Sequence, residues 1–460
     1  ALAPLSAGGR LVVAAREIEQ GGVLRAPAGR IELNSSQALT LKPGSETSVS
    51  SSGQQLLCGS WSGSNWIAPS GNLNEPLAQP LAKTVLLQSQ GGVDLQNGAS
   101  VDLRGGGELL AWQFVPGPGG SKDVFSGSDG AFALLPNSPG LSGSWDPSMA
   151  GAHAPQGRQL TIGAGGPVPA GSYTLLPARY ALLSGAYLVR PALAAGAPLA
   201  LNSHITNADG SVLVGAVLSD AGSGLREALP GNWLLMSSAQ ARKQSEIRLA
   251  AADTFFSAQA DKDSRITPRL AADAGALVLA AQAAQLQAQL RFDVSAALDK
   301  DGKALKPGRG GQVFIAAEKM QLGTATPAAA GTLVLDAGQL NQLGAQSLVL
   351  GAVPAAAATS ATGDALRQTQ TLDPRARTIT VATNQLQVND LLLAATEALS
   401  LTAGTVLRAQ APTDRAGAAV TSFGLNGDGA ALRLSSDAGA EFLRSGAQRQ
   451  AGDLNLGSQV

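Results

Sequence analysis

Three stretches carry the same pattern: LVVAAREI at residues 11–18, VFIAAEKM at 313–320 and ITVATNQL at 379–386. Each places two apolar side chains two positions apart: Leu11 and Val13, Val313 and Ile315, Ile379 and Val381. A small residue follows, Ala14, Ala316 or Ala382. An apolar residue then returns seven positions after the first, at Ile18, Met320 and Leu386. LVLAAQAA at 277–284 is a weaker copy. Period-two alternation marks a strand, because successive side chains point to opposite faces.

Further short pairs extend the series: Ile31 and Leu33, Leu39 and Leu41, Val93 and Leu95, Val101 and Leu103. Leu333 and Leu335, Leu348 and Leu350, Leu391 and Leu393, and Leu399 and Leu401 follow. Turn residues separate them, as in Gln96-Asn97-Gly98-Ala99 and Asn207-Ala208-Asp209-Gly210, where Gly, Asn and Asp tolerate positive φ. Comparable positions recur after about 20 residues, Val313 to Leu333 and Ile379 to Leu399, at the low end of the solenoid range. One interval then makes one coil. The reading is an all-β chain, a right-handed parallel β-helix with Ile31, Leu33, Val313, Ile315, Ile379 and Val381 facing its core. Alanine and leucine also favour helix, and AAQAAQLQAQL at Ala280–Leu290 is the one stretch that reads as helical. Elsewhere glycine and β-branched residues interrupt too soon.

Two stretches break the coil pattern. Residues 54–83 hold Cys58, Trp61, Trp66 and three prolines, and form a small excursion. Residues 116–242 are rich in proline and hold all three tyrosines and both histidines. They read as a large, mostly-β inserted subdomain, since so long a structureless loop is abnormal. Coils then occupy 1–53, 84–115 and 243–460. The opening ALAPLSAGGR has neither an initiator methionine nor a signal peptide, and alternation starts at Leu11. The chain is therefore read as an internal piece of something longer, with open coils at both ends that self-associate.

Composition agrees with stacked thin layers. Charged residues are 14% of the 460 and glycines number 56, while apolar residues at 44% suffice for a core. Aromatics are only 4%, so small aliphatic side chains must fill that core. With 32 basic and 33 acidic residues and no long run of either sign, there is no concentrated basic face for nucleic acid or anionic membranes. Cys58 is the single cysteine, so no intramolecular disulfide can form. No apolar run is long enough to span a bilayer as a helix.

Candidate chemistry is sparse. His153 and His204 are far apart and without ligand motifs, and HExxH, CxxC, P-loop and GxSxG patterns are missing. Asp299-Lys300-Asp301-Gly302 and Asn426-Gly427-Asp428-Gly429 look like calcium loops but lack the closing Glu, and read as turns. A polysaccharide-active enzyme would need converging carboxylates. Asp94 and Asp102 make the best pair, with Asp336 and Asp390 more scattered; a solvated strand face explains all four more simply. No catalytic, metal or cofactor-binding residue is assigned, and no cofactor is expected. Trp61, Trp66, Trp112 and Trp145 lie in or beside the excursions and, with Tyr173, Tyr180 and Tyr187, form the candidate ligand-binding surface. The competing reading is that tryptophan fills a subdomain core.

The segment from Trp112 to Val189 resembles a block found in very large filamentous haemagglutinin family proteins. The resemblance lies in WQFVPGPGGSKDVFSG at 112–127, GAFALLPNSPG at 130–140 and GSYTLLPARYALLSGAYLV at 171–189. The spacing of Tyr173, Tyr180 and Tyr187 belongs to it, and Pro177 and Gly185 argue against one helix carrying all three. It covers about a sixth of the chain. It implies secretion through an outer-membrane partner transporter, a cell-surface location and a long β-helix. The implied role is a structural and adhesive shaft that meets a host or bacterial surface ligand. In some relatives the shaft instead presents a C-terminal toxin to neighbouring cells. The family's Asn-Pro-Asn-Gly secretion motif, an Arg-Gly-Asp triplet and a basic heparin cluster are all missing from this sequence, so no binding residue carries over.

Overall fold

The computed structural model describes residues 4–68, 76–77, 79–137, 157–192, 196–298, 304–323, 328–355, 369–411, 421–437, 439–445, 452–458 and 460. Strands make up 49% and helices 7%, so the chain is all-β and the helical competitor fails. The α-helices described are short: α1 (Ser238–Ala241), α2 (Ala252–Lys262) and α3 (Ala337–Gln342). The chain divides into two compact units. One comprises residues 1–6, 55–78 and 109–251, the other 7–54, 79–108 and 252–460.

The second unit is organised by parallel ladders. The longest runs through Arg10–Gln20, Arg30–Leu41, Thr84–Ser89, Ala276–Ala280, Gln312–Ala316, Ser347–Leu350 and Asp390–Ala395, each parallel to the next. Ala430–Ser435 adds an antiparallel strand beyond Asp390–Ala395. The register stacks like on like. Leu11, Ile31, Val85, Leu277, Val313, Leu348 and Leu391 are successive partners; so are Val13, Leu33, Leu87, Leu279, Ile315, Leu350 and Leu393. A second ladder stacks Leu333, Met320, Ile379, Leu399 and Leu454 in that order. A third aligns Leu24, Thr47, Val101 and Leu290. Apart from Thr47 and the exposed Leu454, these columns meet in one core, in which the six residues expected to face inward are all buried. Leu11 and Val13, on the outermost rung, are only partly buried.

Ile379 and Leu399, 20 residues apart, are partners as the interval predicts. Val313 and Leu333 are not. Val313 faces Leu348 and Leu333 faces Met320, because the connections between rungs vary in length. The Ala280–Leu290 helix is also corrected. Ala283–Leu286 and Gln289–Arg291 are strands, paired with Gly92–Leu95 and Ser100–Asp102. Their leucines extend existing apolar columns, and that burial overrides a propensity difference of a few tenths of a kcal/mol per residue. The helix that does form nearby, α2, buries Ala252, Phe256 and Ala260 at i, i+4 and i+8, one face of a helix.

The long ladder is covered on its outer face as well. The outward column begins with Val12, 48% exposed, and passes through Glu32, Leu86, Val278 and Phe314 to Val349 and Leu392. Phe314, Val349 and Leu392 are fully buried beneath a sheet ordered Ala352–Pro354, Thr369–Pro374, Ser422–Asn426 and Phe442–Ser445. Phe314 meets Phe423 edge to face, with centroids 6.3 Å apart. Unbroken apolar runs such as VFIA within Gln312–Ala316 and LLLAA within Asp390–Ala395 are what parallel strands covered on both faces require.

Candidate functional site

Both excursions fall in the first unit, with bounds of 55–78 and 109–251 where the sequence reading gave 54–83 and 116–242. The difference has a simple cause: Glu108–Phe114, read as coil, pairs antiparallel with Ile247–Ala251. One sheet of this unit is ordered Ile247–Ala251, Glu108–Phe114, Gln55–Ser62, Asn65–Ile67 and Pro76–Leu77. The other is ordered Gly171–Thr174, Arg158–Ile162, Val212–Asp220, Gly231–Ser237, Tyr187–Pro191, Phe132–Leu134 and Leu176–Pro177, with His204–Thr206 beside Val212–Asp220. His204 is exposed on that added strand, whereas His153 lies outside the described residues.

The aromatic residues nominated as a binding surface divide by burial. Trp66 is 1% exposed and its indole N–H donates to the Cys58 carbonyl at 2.7 Å. Tyr173 and Tyr180 are buried too, in two different cores of this unit. These three build the interior and are removed from the candidate surface. Trp233 is likewise buried, against Phe132. Tyr173, Tyr180 and Tyr187 stand on a strand, the 3-10 turn Ala178–Leu182 and a further strand, so no single helix carries them. Trp145 lies outside the described residues.

Trp61, Trp112 and Tyr187 remain partly exposed. Trp61 is the cross-strand partner of Trp66. Trp112 is the most elaborated. Arg179 sits 3.5 Å over its ring centroid, and the same guanidinium reaches Asp123 at 2.7 Å. Arg179 is buried, so Asp123 compensates its charge and the ring face receives it. The Tyr187 hydroxyl donates to the Pro167 carbonyl at 3.2 Å. Partly exposed aromatic side chains of this kind are the type that anchors recognition surfaces.

Each of the four carboxylates singled out in the sequence has a partner of its own. Asp94 accepts from Gln96 at 2.8 Å. Asp102, expected to be solvated, is buried and held at both oxygens by Arg104, which keeps its carboxyl below the ordinary range against the opposing effect of burial. Asp390, also expected to be solvated, is 1% exposed and bound by Arg433 at 3.0 and 3.1 Å. Asp336 caps α3 through the Gln339 N–H. Residues 427–429 form the bend between Ser422–Asn426 and Ala430–Ser435, and 299–303 lie outside the described residues. Among the described residues no cluster of three His, Cys, Asp or Glu could hold a metal.

A group of charges that alternation does not reveal lies inside the second unit. Lys83, immediately before Thr84–Ser89, is buried and donates to the Ala271 carbonyl at 2.6 Å. Burial pulls its ammonium down to about 8, against the opposing pull of Asp273 and Asp253. Asp253, in the first turn of α2, accepts from the Ala271 and Ala272 N–H groups at 2.7 and 3.0 Å. Its carboxyl is pushed up, chiefly by burial. Asp273 accepts from the N–H groups of Leu270 and Arg309 at 2.9 and 2.7 Å. Arg269, lowered to about 10 by burial, ties down the carbonyls of Ala274 and Gly310. A lone lysine before a strand and a lone aspartate at a helix start give no shared motif, so only the fold unites them. No family model matches this chain, and no curated protein or solved structure shows significant similarity to it.

Proposed function

We propose that this chain forms a right-handed parallel β-helix that serves as the structural and adhesive shaft of a secreted, filamentous haemagglutinin-like bacterial surface protein. The register carries the reading. Seven strands widely separated in sequence stack the same two apolar columns, from Leu11 to Leu391 and from Val13 to Leu393. Parallel neighbours need a crossover for every strand, and right-handed crossovers are strongly favoured. Each rung lengthens the ladder by about 4.8 Å, so the product of this packing is reach.

Adhesion falls to the other unit. All five tryptophans and all three tyrosines lie outside residues 7–54, 79–108 and 252–460. Trp61, Trp112 and Tyr187 are partly exposed, as aromatic anchors need to be. Export by an outer-membrane partner transporter and contact with a host or bacterial surface ligand complete the proposal.

The test compares beads coated with the intact chain and beads coated with a variant in which a Gly/Ser linker replaces residues 109–251. Intact beads should adhere to epithelial or bacterial cells and the variant beads should not, while both proteins keep their β-signal by circular dichroism. Equal adhesion of both, or adhesion by neither, overturns the adhesive reading.

A further inference from the structure

We propose that Asn97 is a self-modifying site: in the folded chain its side chain loses ammonia and becomes aspartate and isoaspartate, while Asn426 keeps its amide. The sequence holds two Asn-Gly pairs, Asn97-Gly98 and Asn426-Gly427. Both glycines have positive φ, 86° and 78°, so both pairs sit at sharp bends. By sequence the two are equally open to reaction, because a following glycine puts no Cβ in the way of its own nitrogen. The structure separates them. Asn97 and Gly98 are exposed, and among the described residues nothing accepts from the Gly98 N–H or binds the Asn97 carboxamide. The Asn426 carboxamide instead donates to an Asp373 carboxylate oxygen at 2.7 Å.

The Gly98 backbone nitrogen attacks Asn97 Cγ. A new N–C bond closes a cyclic imide, the Cγ–Nδ2 bond breaks, and the proton lost from Gly98 leaves with the side-chain nitrogen as ammonia. Solvent water then adds to either carbonyl of the ring and opens it. Opening at one carbonyl gives aspartate. Opening at the other routes the main chain through the side-chain carboxyl and gives isoaspartate. No oxidant or reductant takes part, and water is the only co-reactant. Attack needs a carboxamide able to swing onto the next nitrogen. An exposed side chain at a turn can do so, whereas one bound to a carboxylate does so only when that bond opens.

The turn that carries Asn97 lies between two buried columns. It closes through the Ala99 N–H on the Gln96 carbonyl at 3.0 Å, and it joins Gly92–Leu95 to Ser100–Asp102. The Gly98 carbonyl accepts from the Gly44 N–H of the neighbouring turn at 2.8 Å. Either product adds a negative charge here, and isoaspartate also lengthens the main chain within a turn to which the next rung is bonded. The corner loosens while Leu95 and Val101, buried in the core on either side, hold the strands. This chemistry is the same whether or not the chain binds a surface, so it stands apart from the adhesive reading.

Incubation of the folded 460-residue chain at pH 8, with tryptic mapping in mildly acidic buffer at intervals, tests it. The tryptic peptide 84–104 should gain the mass difference between a hydroxyl and an amino group and split into aspartyl and isoaspartyl forms. The isoaspartyl form should accept a methyl group from a protein isoaspartyl methyltransferase. A hydrogen bond to a charged group holds the Asn426 carboxamide for all but about a tenth of the time or less, so peptide 416–433 should lag at least about tenfold. In urea the two peptides should convert at similar rates. Retention of Asn97 in the folded chain, over a period in which the unfolded chain converts, overturns the proposal. Conversion of Asn426 at the rate of Asn97 does the same. A difference that persists undiminished in urea places its cause in the local sequence and overturns the structural assignment.

Discussion

Truncating Phe314 separates two accounts of the long ladder. If its outer face were solvated, as simple alternation implies, Phe314→Ala would resemble a surface change. In the structure Phe314 is fully buried between Val278 and Val349, beneath Phe423. Phe→Ala in a core costs about 3–5 kcal/mol, the spread reflecting how far the site can collapse. Here the ladder partners above and below are held in register and the cover sheet is itself hydrogen-bonded, so collapse is restricted. We expect about 4 kcal/mol. Val12→Ala is the control: the same outward column, 48% exposed, and a cost below about 0.5 kcal/mol. Urea unfolding followed by far-UV circular dichroism measures both. Tryptophan fluorescence supplies an internal reference, because no tryptophan lies in 7–54, 79–108 or 252–460. A Phe314→Ala cost within about 1 kcal/mol of the Val12→Ala cost would refute the covered-face argument.

Arg433→Met should cost about 3–5 kcal/mol in the same assay, because it strands the buried Asp390 carboxylate. Pairing it with Asp390→Leu should recover most of that loss. Cys58, whose thiol burial pushes up to about 12, should resist alkylation at pH 8 in the native protein and react at the rate of local opening. Native labelling as fast as in urea would contradict its burial. Replacing residues 109–251 by a Gly/Ser linker should leave the far-UV signal of the ladders intact, since rungs are stabilised mainly by their neighbours. Collapse of that signal would show that the insertion shields them.

What could be read from the residues was the inward half of the strands. Ile31, Leu33, Val313 and Ile315 announce themselves by alternation, and each is buried. The outer half was obscured for a physical reason. Phe314 and Val349 are apolar on a face that alternation assigns to solvent, and only the sheet containing Phe423 explains them. Register failed where connections vary: Ile379 and Leu399 are partners, while Val313 and Leu333 are not. Ala283–Leu286 shows a local helix preference losing to a ladder already in place. Trp66, Tyr173 and Tyr180 illustrate that aromatic content alone cannot separate an anchor from a core. The Lys83, Asp253 and Asp273 group was illegible because its members come from a strand's lead-in, a helix's first turn and a loop that only the fold brings together.

The stacked columns also bear on how such a molecule changes over generations. Each rung presents its neighbour with two branched aliphatic side chains at one spacing, so the interface above a rung is chemically the same as the interface below it. An in-frame duplication or loss of one such strand therefore leaves the two inward apolar columns continuous. Length becomes a trait that recombination can adjust in single steps, with no compensating substitution in the interior.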